Sequence, residues 1–374
     1  MESIVIVGAG PVGLAMACAL AQASKTLKIQ IIDKQADAVL QNPAIDGRAI
    51  ALNHLAVAYL KQLGIWGNLD KQEIHPIMDA KVSDGHDPFV LHFERSDDQS
   101  APIGYFVRNH SLRQACYAQI KSYKNIKLLT EQTITGIKTT DSVAAVSLAD
   151  GANIQANLLI AADGRFSYVR RTMGIGAKMQ DFGRVIMAFE MQHTLNHHHT
   201  AHEHFLYDQA TCAVLPLNGK LSSIVMTMPA GRADELKSMS SKEFNQAVPK
   251  YLDNELGEMQ LVGERYSYPL IGSFAKQFIK PRVALIGDAA VGMHPVTAHG
   301  FNLGLKGTDA LTSLIVDAQK HNQDIGSQKL LRKYQAKHRL TAAPLHYGTN
   351  AIVGLYNNEQ ARVARGLFLR VGNY

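Results

Sequence analysis

The chain has 374 residues, 46% of them hydrophobic, and a formal net charge of +6. That length and apolar content describe an ordered, globular protein of two or three domains and exclude a disordered or fibrous chain. Three widely spaced cysteines, Cys18, Cys116 and Cys212, with no CxxC, indicate neither a disulfide framework nor a thiolate metal site, and they suit a reducing cytoplasm.

The positive balance fits an anionic cofactor, an anionic membrane surface or solubility alone, and no nucleic-acid partner is expected. Residues 4 to 21 are mostly apolar, but they lack a basic leader and contain Gly8, Gly10, Pro11 and Gly13. A phosphate-binding turn accounts for them better than a signal or spanning segment. With no other apolar run near 18 residues, the protein is expected to be soluble or peripheral.

In chain order, Ser3 to Val7 reads as a parallel-sheet strand, GAGPVG follows at once, and Leu14 to Ala23 is helical. Gly8 permits the tight turn, Gly10 lets backbone approach a pyrophosphate, and Gly13 allows helix to pack on strand. Lys28 to Ile32 supplies a second strand ending at Asp33, whose carboxylate is placed to accept hydrogen bonds from an adenosine ribose. Asp46-Gly47-Arg48 precedes an amphipathic segment from Ala51 to Leu63. Arg48 is shaped to grip a phosphate bidentately, and equally fits an exposed arginine near a helix start. From Ile77 to Phe93 the pattern alternates around Ser83-Asp84-Gly85, as in a hairpin. Ser111 to Tyr123 is helical, Ile126 to Leu129 is a third strand, and Thr133 to Thr139 with Ala144 to Leu148 form a meander.

Leu158 to Ala161 is a buried-strand run ending in Ala162-Asp163-Gly164-Arg165, with Arg170 and Arg171 close behind, a second edge suited to phosphate. Arg184 to Met191, His204 to Tyr207, Cys212 to Leu217 and Leu221 to Met228 run without helices between them and predict a β-rich domain. His193, His197, His198, His199, His202 and His204 crowd one segment, but no carboxylate or thiolate stands in fixed relation to them. A polar turn entering a strand is the expectation, with no metal. Glu243 to Leu256 returns to helix.

Ala284 to Ile286 delivers Gly287-Asp288 to the end of another buried strand, followed by His294-Pro295, Gly300 and a helical pattern opening at Asn302. Such a loop aims N–H groups and a positive helix end at an electron-rich ligand, and a ligand polyol suits Asp288. Leu311 to Val316 and Leu330 to Leu345 are helical, and Arg362, Arg365, Leu367, Phe368 and Arg370 combine basic and apolar character. That combination suits a membrane surface or a solvated terminal helix.

GAGPVG with Asp33, Ala162-Asp163-Gly164, and Gly287-Asp288 with His294-Pro295 and Gly300 together resemble the three cofactor motifs of flavin-dependent aromatic hydroxylases of the para-hydroxybenzoate hydroxylase fold. Asp46 to Leu52 and GDAAVGMHPVTAHGFNLGL are more narrowly similar to the ubiquinone-biosynthesis hydroxylases. Asp181-Phe182-Gly183-Arg184, the histidine-rich stretch and TNAIVGLYNNE resemble the subgroup acting on demethoxyubiquinol-type intermediates.

The resemblance implies an α/β fold: a Rossmann-like FAD-binding domain with a parallel sheet from 1–73, 103–180 and 276–345, a β-rich substrate domain from 74–102 and 181–275, and a C-terminal helical segment over 346–374. It implies FAD diphosphate over Gly8, Gly10, Pro11 and Gly13, with ribose on Asp33 beside Lys34. Arg48 would approach the diphosphate or ribityl chain, and Asp163 with Gly164 would lie near the pyrophosphate. Gly287 and Asp288 would hold the ribityl hydroxyls. Pro295, Gly300, Phe301 and Asn302 would border the isoalloxazine. Where the family often has an acidic residue and Asn before the helix at 111, this chain has Arg108-Asn109, and Arg108 joins the cofactor set. A longer basic tail than the one ending soon after Arg370 is expected of the family.

The implied reaction is hydroxylation of a prenylated phenol or quinol intermediate of ubiquinone biosynthesis, with NAD(P)H as transient reductant, O2 as co-substrate and a C4a-hydroperoxyflavin as oxygen donor. His294 and His299 are the candidate catalytic groups. Peripheral association with the inner membrane surface or a biosynthetic complex is also implied. The rivals are a flavin-dependent dehydrogenase or reductase, a non-catalytic prenyl-lipid binder, and a plain NAD-dependent dehydrogenase.

Overall fold

The computed structural model describes residues 2–85, 90–93, 101–206, 210–294 and 299–356. A six-stranded sheet runs in the order Ile279–Lys280, Val283–Leu285, Leu158–Ala161, Ser3–Val7, Lys28–Ile32, Ile126–Leu129, parallel except at the first strand. Its central strands are buried on both faces, which is why they read as continuous apolar runs. The helices Pro11–Ala23 and Gly300–Lys320 pack together over the sheet. Their crossing is close because Gly304 sits where a Cβ would lie 2.9 Å from Val12 Cγ2.

The second sheet has eight strands, ordered Val291–Gly292, Met259–Ala275, Ala177–His193, Leu221–Pro229, Thr211–Pro216, Thr200–Phe205, Asp79–Asp84, Val90–Phe93. A separate core of Met187, Phe189, Met191, Ile224 and Met226 lies under the helices Ala230–Ser238 and Ser241–Ala247. Phe189 meets Phe244 edge-on at 4.8 Å there. The second stretch of chain in this sheet begins at Ala177, and the sheet takes in Val291–Gly292, so it reaches past the boundaries expected at 181 and 275.

Three expectations change. The segment from Ala51 is not helical at its start: Ala49–Leu52 pairs antiparallel with Tyr105–Arg108, and Asn53 then caps the helix His54–Gln62 by accepting from Ala56 N at 2.9 Å. Met259–Ala275, absent from the sequence reading, is one of the two longest strands among the described residues. The last helix does not stop at 345 but runs from Gln328 to Tyr356 through Pro344. Proline leaves the carbonyl of residue 340 without its helical donor, and Leu340 is 80% exposed, so water can serve there. Arg362 to Arg370 lies outside the described residues. No helix among the described residues is long and apolar enough to cross a membrane.

Candidate cofactor and active site

Val7, Ala161 and Leu285 are register partners on three adjacent parallel strands, so the three glycine-bearing segments after them leave from one sheet edge. They also touch. A Cβ on Gly8 would lie 2.5 Å from Ala162 O, one on Gly13 would lie 3.1 Å from Ala162 Cβ, and one on Gly287 would lie 3.1 Å from Val12 Cγ1. Gly8 has φ +105°, a conformation that L side chains rarely adopt. Strands depart on both sides of Ser3–Val7 at this edge, which makes it the switch point where open α/β sheets bind ligands.

Asp33 closes the turn from one side. Its carboxylate accepts from Ala9 N at 2.6 Å and from Gln35 N at 2.8 Å, and it remains partly exposed. Lys34 beside it is exposed. Gly10 behaves unlike its neighbours: its φ is −70°, and a Cβ there would meet nothing within 4 Å. The space above the N-terminus of Pro11–Ala23 is thus open while the turn below it is walled, as a pyrophosphate cradle requires. Gly164 and Gly300 open onto free space in the same way. The residues present fit FAD on these observations.

Asp163 turns inward instead. It accepts from Ser167 Oγ at 2.5 Å and Val169 N at 3.0 Å, fastening the helix Tyr168–Thr172, and burial pushes its carboxyl above the usual range. The arginines that follow do not form a free phosphate edge. Arg165 donates to Ile271 O at 2.5 Å and to Asp288 at 3.3 Å, Arg170 donates to Ala289 O at 2.9 Å, and Arg171 donates to Ser167 O at 3.3 Å. Each guanidinium is thus engaged with backbone carbonyls of the surrounding elements. Asp288 keeps 42% of its side chain exposed and available to a polyol.

Arg48 pairs with Asp46 at 2.6 Å and lies over the Tyr268 ring at 5.5 Å, with 55% of its side chain exposed. The Arg108 guanidinium bridges Glu190 (2.7 and 3.0 Å) and Glu73 (2.9 Å), so it ties the β-rich sheet to the cofactor side. Glu190 lies 82 positions away and carries no sequence signal. Gly47, Arg48, Arg108, Glu190 and Ser223 line a crevice too narrow for a water molecule, where the paired strands Ala49–Leu52 and Tyr105–Arg108 meet the eight-stranded sheet. The larger cleft, lined by Glu2, Asn157, Arg282 and Asp324, flanks the residues that precede the parallel strands, at the edge opposite the glycine motifs.

After Leu285 the chain leaves the parallel sheet, and at Val291–Gly292 it pairs with Phe274 and Ser273 of the β-rich sheet. His294 follows, 4% exposed and edge-on to Phe182 at 4.9 Å. Burial, with Arg184 nearby, lowers its pKa to about 4, so it is a neutral imidazole at neutral pH. Pro295 lies outside the described residues. His299 is the N-cap of Gly300–Lys320. Asn302 donates to Ala51 O at 2.8 Å and accepts from Asn53 N at 3.2 Å, which locks the helix start to the Ala49–Leu52 strand. Phe301 beside it is half-buried against the main core.

A family profile described as an FAD binding domain matches residues 1–346. The chain is 44% identical to the ubiquinone hydroxylase UbiM of Neisseria meningitidis, over all of this chain and 81% of that one. It is 34% identical to the ubiquinone hydroxylase UbiL of Rhodospirillum rubrum, over all of this chain and 86% of the relative. In fold it is similar to PqsL, a probable FAD-dependent monooxygenase of Pseudomonas aeruginosa, with a TM-score of 0.81 at 16% identity, covering 97% of this chain and 98% of that one. It is an enzyme, an FAD-dependent monooxygenase that takes NAD(P)H as reductant. Three motifs brought to one sheet edge and a match along the whole chain lead to one conclusion: this chain belongs to the FAD-dependent ubiquinone hydroxylase family of flavin monooxygenases.

Proposed function

We propose that this enzyme hydroxylates the ring of a prenylated phenol or quinol on the route to ubiquinone. The observation that carries the reading is the path of residues 285–292, which leave the cofactor edge and become an edge strand of the β-rich sheet within a few residues. A ring held by that segment must face the junction of the two sheets, where Phe182 and His294 pack together. Bound FAD, once reduced by NAD(P)H, supplies the activation of O2 and the transfer of one oxygen atom.

The chain's own part is binding, orientation and exclusion of water. Gly8, Gly10 and Gly13 would hold the diphosphate, Asp33 the ribose and Asp288 the ribityl hydroxyls. The N–H groups opening Gly300–Lys320 would favour the negative charge of the reduced cofactor. His294 serves here as a neutral wall of the chamber, because a base working near neutral pH needs a pKa near 7 and burial holds this one at about 4. A prenyl tail would draw the enzyme to the inner membrane surface, with the basic and apolar residues from Arg362 to Arg370 as the contact.

The test is anaerobic reduction with NADH and with NADPH, then admission of labelled O2 in the presence of prenylated phenols and quinols, with mass analysis of products. One labelled oxygen in the ring is expected. Oxidation of the reduced enzyme with peroxide release and no labelled product across that panel would overturn the substrate assignment.

A further inference from the structure

The histidine-rich stretch divides into two groups. His193 and His197 are absorbed by local structure: His193 bonds Leu195 O and Ser222 Oγ, and His197 bonds Leu217 O and accepts from the backbone N of His199. His202 and His204 are different. They sit two apart on the strand Thr200–Phe205 and so point to one face, their rings 3.6 Å between centroids. Glu255 reaches them from more than fifty residues away, which overturns the expectation that no carboxylate accompanies these histidines. Glu255 Oε1 lies 3.3 Å from His202 Nδ1 and 3.1 Å from His204 Nε2.

We propose that His202, His204 and Glu255 form a zinc site in the β-rich domain. A tetrahedral zinc with bonds of about 2.0–2.1 Å sets its ligand atoms about 3.3–3.4 Å apart, and the two nitrogen–oxygen separations match that edge within a few tenths of an ångström. Two imidazoles and a carboxylate are a ligand set that zinc accepts. The far nitrogens, His202 Nε2 and His204 Nδ1, each lie 3.2 Å from Ser83 Oγ on the adjoining strand. With the cation on the near nitrogens, both far nitrogens carry a proton, and the two lone pairs of one hydroxyl accept both. Metal-bound histidines are oriented by outer partners of this kind.

Glu255 is held in place independently of the histidines. Asp253 and Asn254 are both left-handed, with φ +46° and +56°, and Leu256 behind is 4% exposed and accepts from Leu195 N. The Glu255 side chain is 37% exposed, so a fourth position opens to water. Thr200–Phe205 lies three strands from Ala177–His193 in the sheet order, so the site fastens the sheet's outer strands to the 253–257 turn and takes no part in oxygen transfer.

Tag-free, FAD-loaded enzyme stripped with chelator, then dialysed against zinc chloride, tests the site by metal-to-chain ratio and competition titration. One zinc per chain is expected, with a rise in unfolding temperature. Ser83→Ala should weaken binding by about 10-fold, and Glu255→Gln or His202→Ala by more than the roughly 100-fold upper range of an outer partner. His54→Ala, at an exposed histidine elsewhere, should leave it unchanged. Retained flavin absorbance in each variant reports folding. Cobalt in place of zinc should give intense four-coordinate bands beyond the flavin absorption. Less than stoichiometric zinc in the parent enzyme, equal zinc in His202→Ala and parent, or only a weak six-coordinate cobalt spectrum would overturn the proposal.

Discussion

Gly10 and Gly13 stand three residues apart in one turn, yet the structure assigns them different work, and replacing each with alanine separates cofactor binding from folding. At Gly13 an added Cβ would fall 2.1 Å from Gly8 O and 3.1 Å from Ala162 Cβ, both fixed by the sheet edge. Overpacking of that kind destabilises by about 3 kcal/mol, so Gly13→Ala should lower the urea midpoint of the apoprotein itself. At Gly10 the backbone is ordinary and the space is empty. The entropy gained over glycine in the unfolded chain, about 0.4–1 kcal/mol, nearly offsets the loss of a favoured cap residue. Gly10→Ala should therefore leave apoprotein stability within about 0.5 kcal/mol of the parent. Its methyl group would stand where a diphosphate must approach, at a cost of about 1–3 kcal/mol, or roughly 5- to 150-fold in the FAD Kd. Apoprotein melts and flavin fluorescence titrations measure the two quantities. A Gly10→Ala enzyme that binds FAD as tightly as the parent would refute the placement of the cofactor over this turn.

Arg108→Met should destabilise the fold by roughly 3 kcal/mol, because it strands the Glu190 and Glu73 carboxylates that Arg108 joins; a change under about 0.5 kcal/mol in a urea melt would show the pair to be idle. Asn302→Ala removes the donor to Ala51 O and the acceptor for Asn53 N, and should cost about 2 kcal/mol with weakened FAD retention on gel filtration. Burial lowers the pKa of His197, His294 and His338 from 6.5 to about 4. Between those values the unfolded chain binds more protons than the folded one, so stability is complete above pH 6.5 and falls on acidification, by up to on the order of 3 kcal/mol per ring. His338→Leu should flatten the fall in urea midpoint over that window, and a parallel pH profile would contradict the assignment.

What the sequence made legible was local. The turn at Gly8, the strand runs at Ser3–Val7 and Leu158–Ala161 and the carboxylates at their ends follow from residue type and spacing, because both faces of those strands are buried and the glycines answer to nearby backbone. What it concealed was pairing at a distance. Met259–Ala275 mixes Gly263, Glu264, Arg265 and Pro269 into a strand that faces solvent along much of its length, so its apolar pattern is broken. Arg108 reads from the sequence as one of the cofactor set, and only the fold brings Glu190 to it from another sheet, as it brings Glu255 to the histidines. Asn302 was placed at a helix start, but its hold on Ala51 and Asn53 depends on a strand pairing that the Ala-Ile-Ala-Leu spacing disguised as helix.

The two sheets are fastened to each other on both sides of the place that the proposed function gives the reactive ring. On one side, Val291–Gly292 continues the cofactor loop into hydrogen bonds with Phe274 and Ser273, and these neighbour the start of Ala177–His193. On the other, the far end of that same strand carries Glu190, which grips Arg108 at the head of the helix Asn109–Ile120, and that helix packs on Pro11–Ala23. A roof hinged as a rigid lid would have to break both attachments, one of them a half-buried bidentate ion pair. Separation of the sheets is therefore a costly route of entry, and under the proposed function a substrate would pass the side chains at the rim of the junction, Arg48 and Phe182 among them.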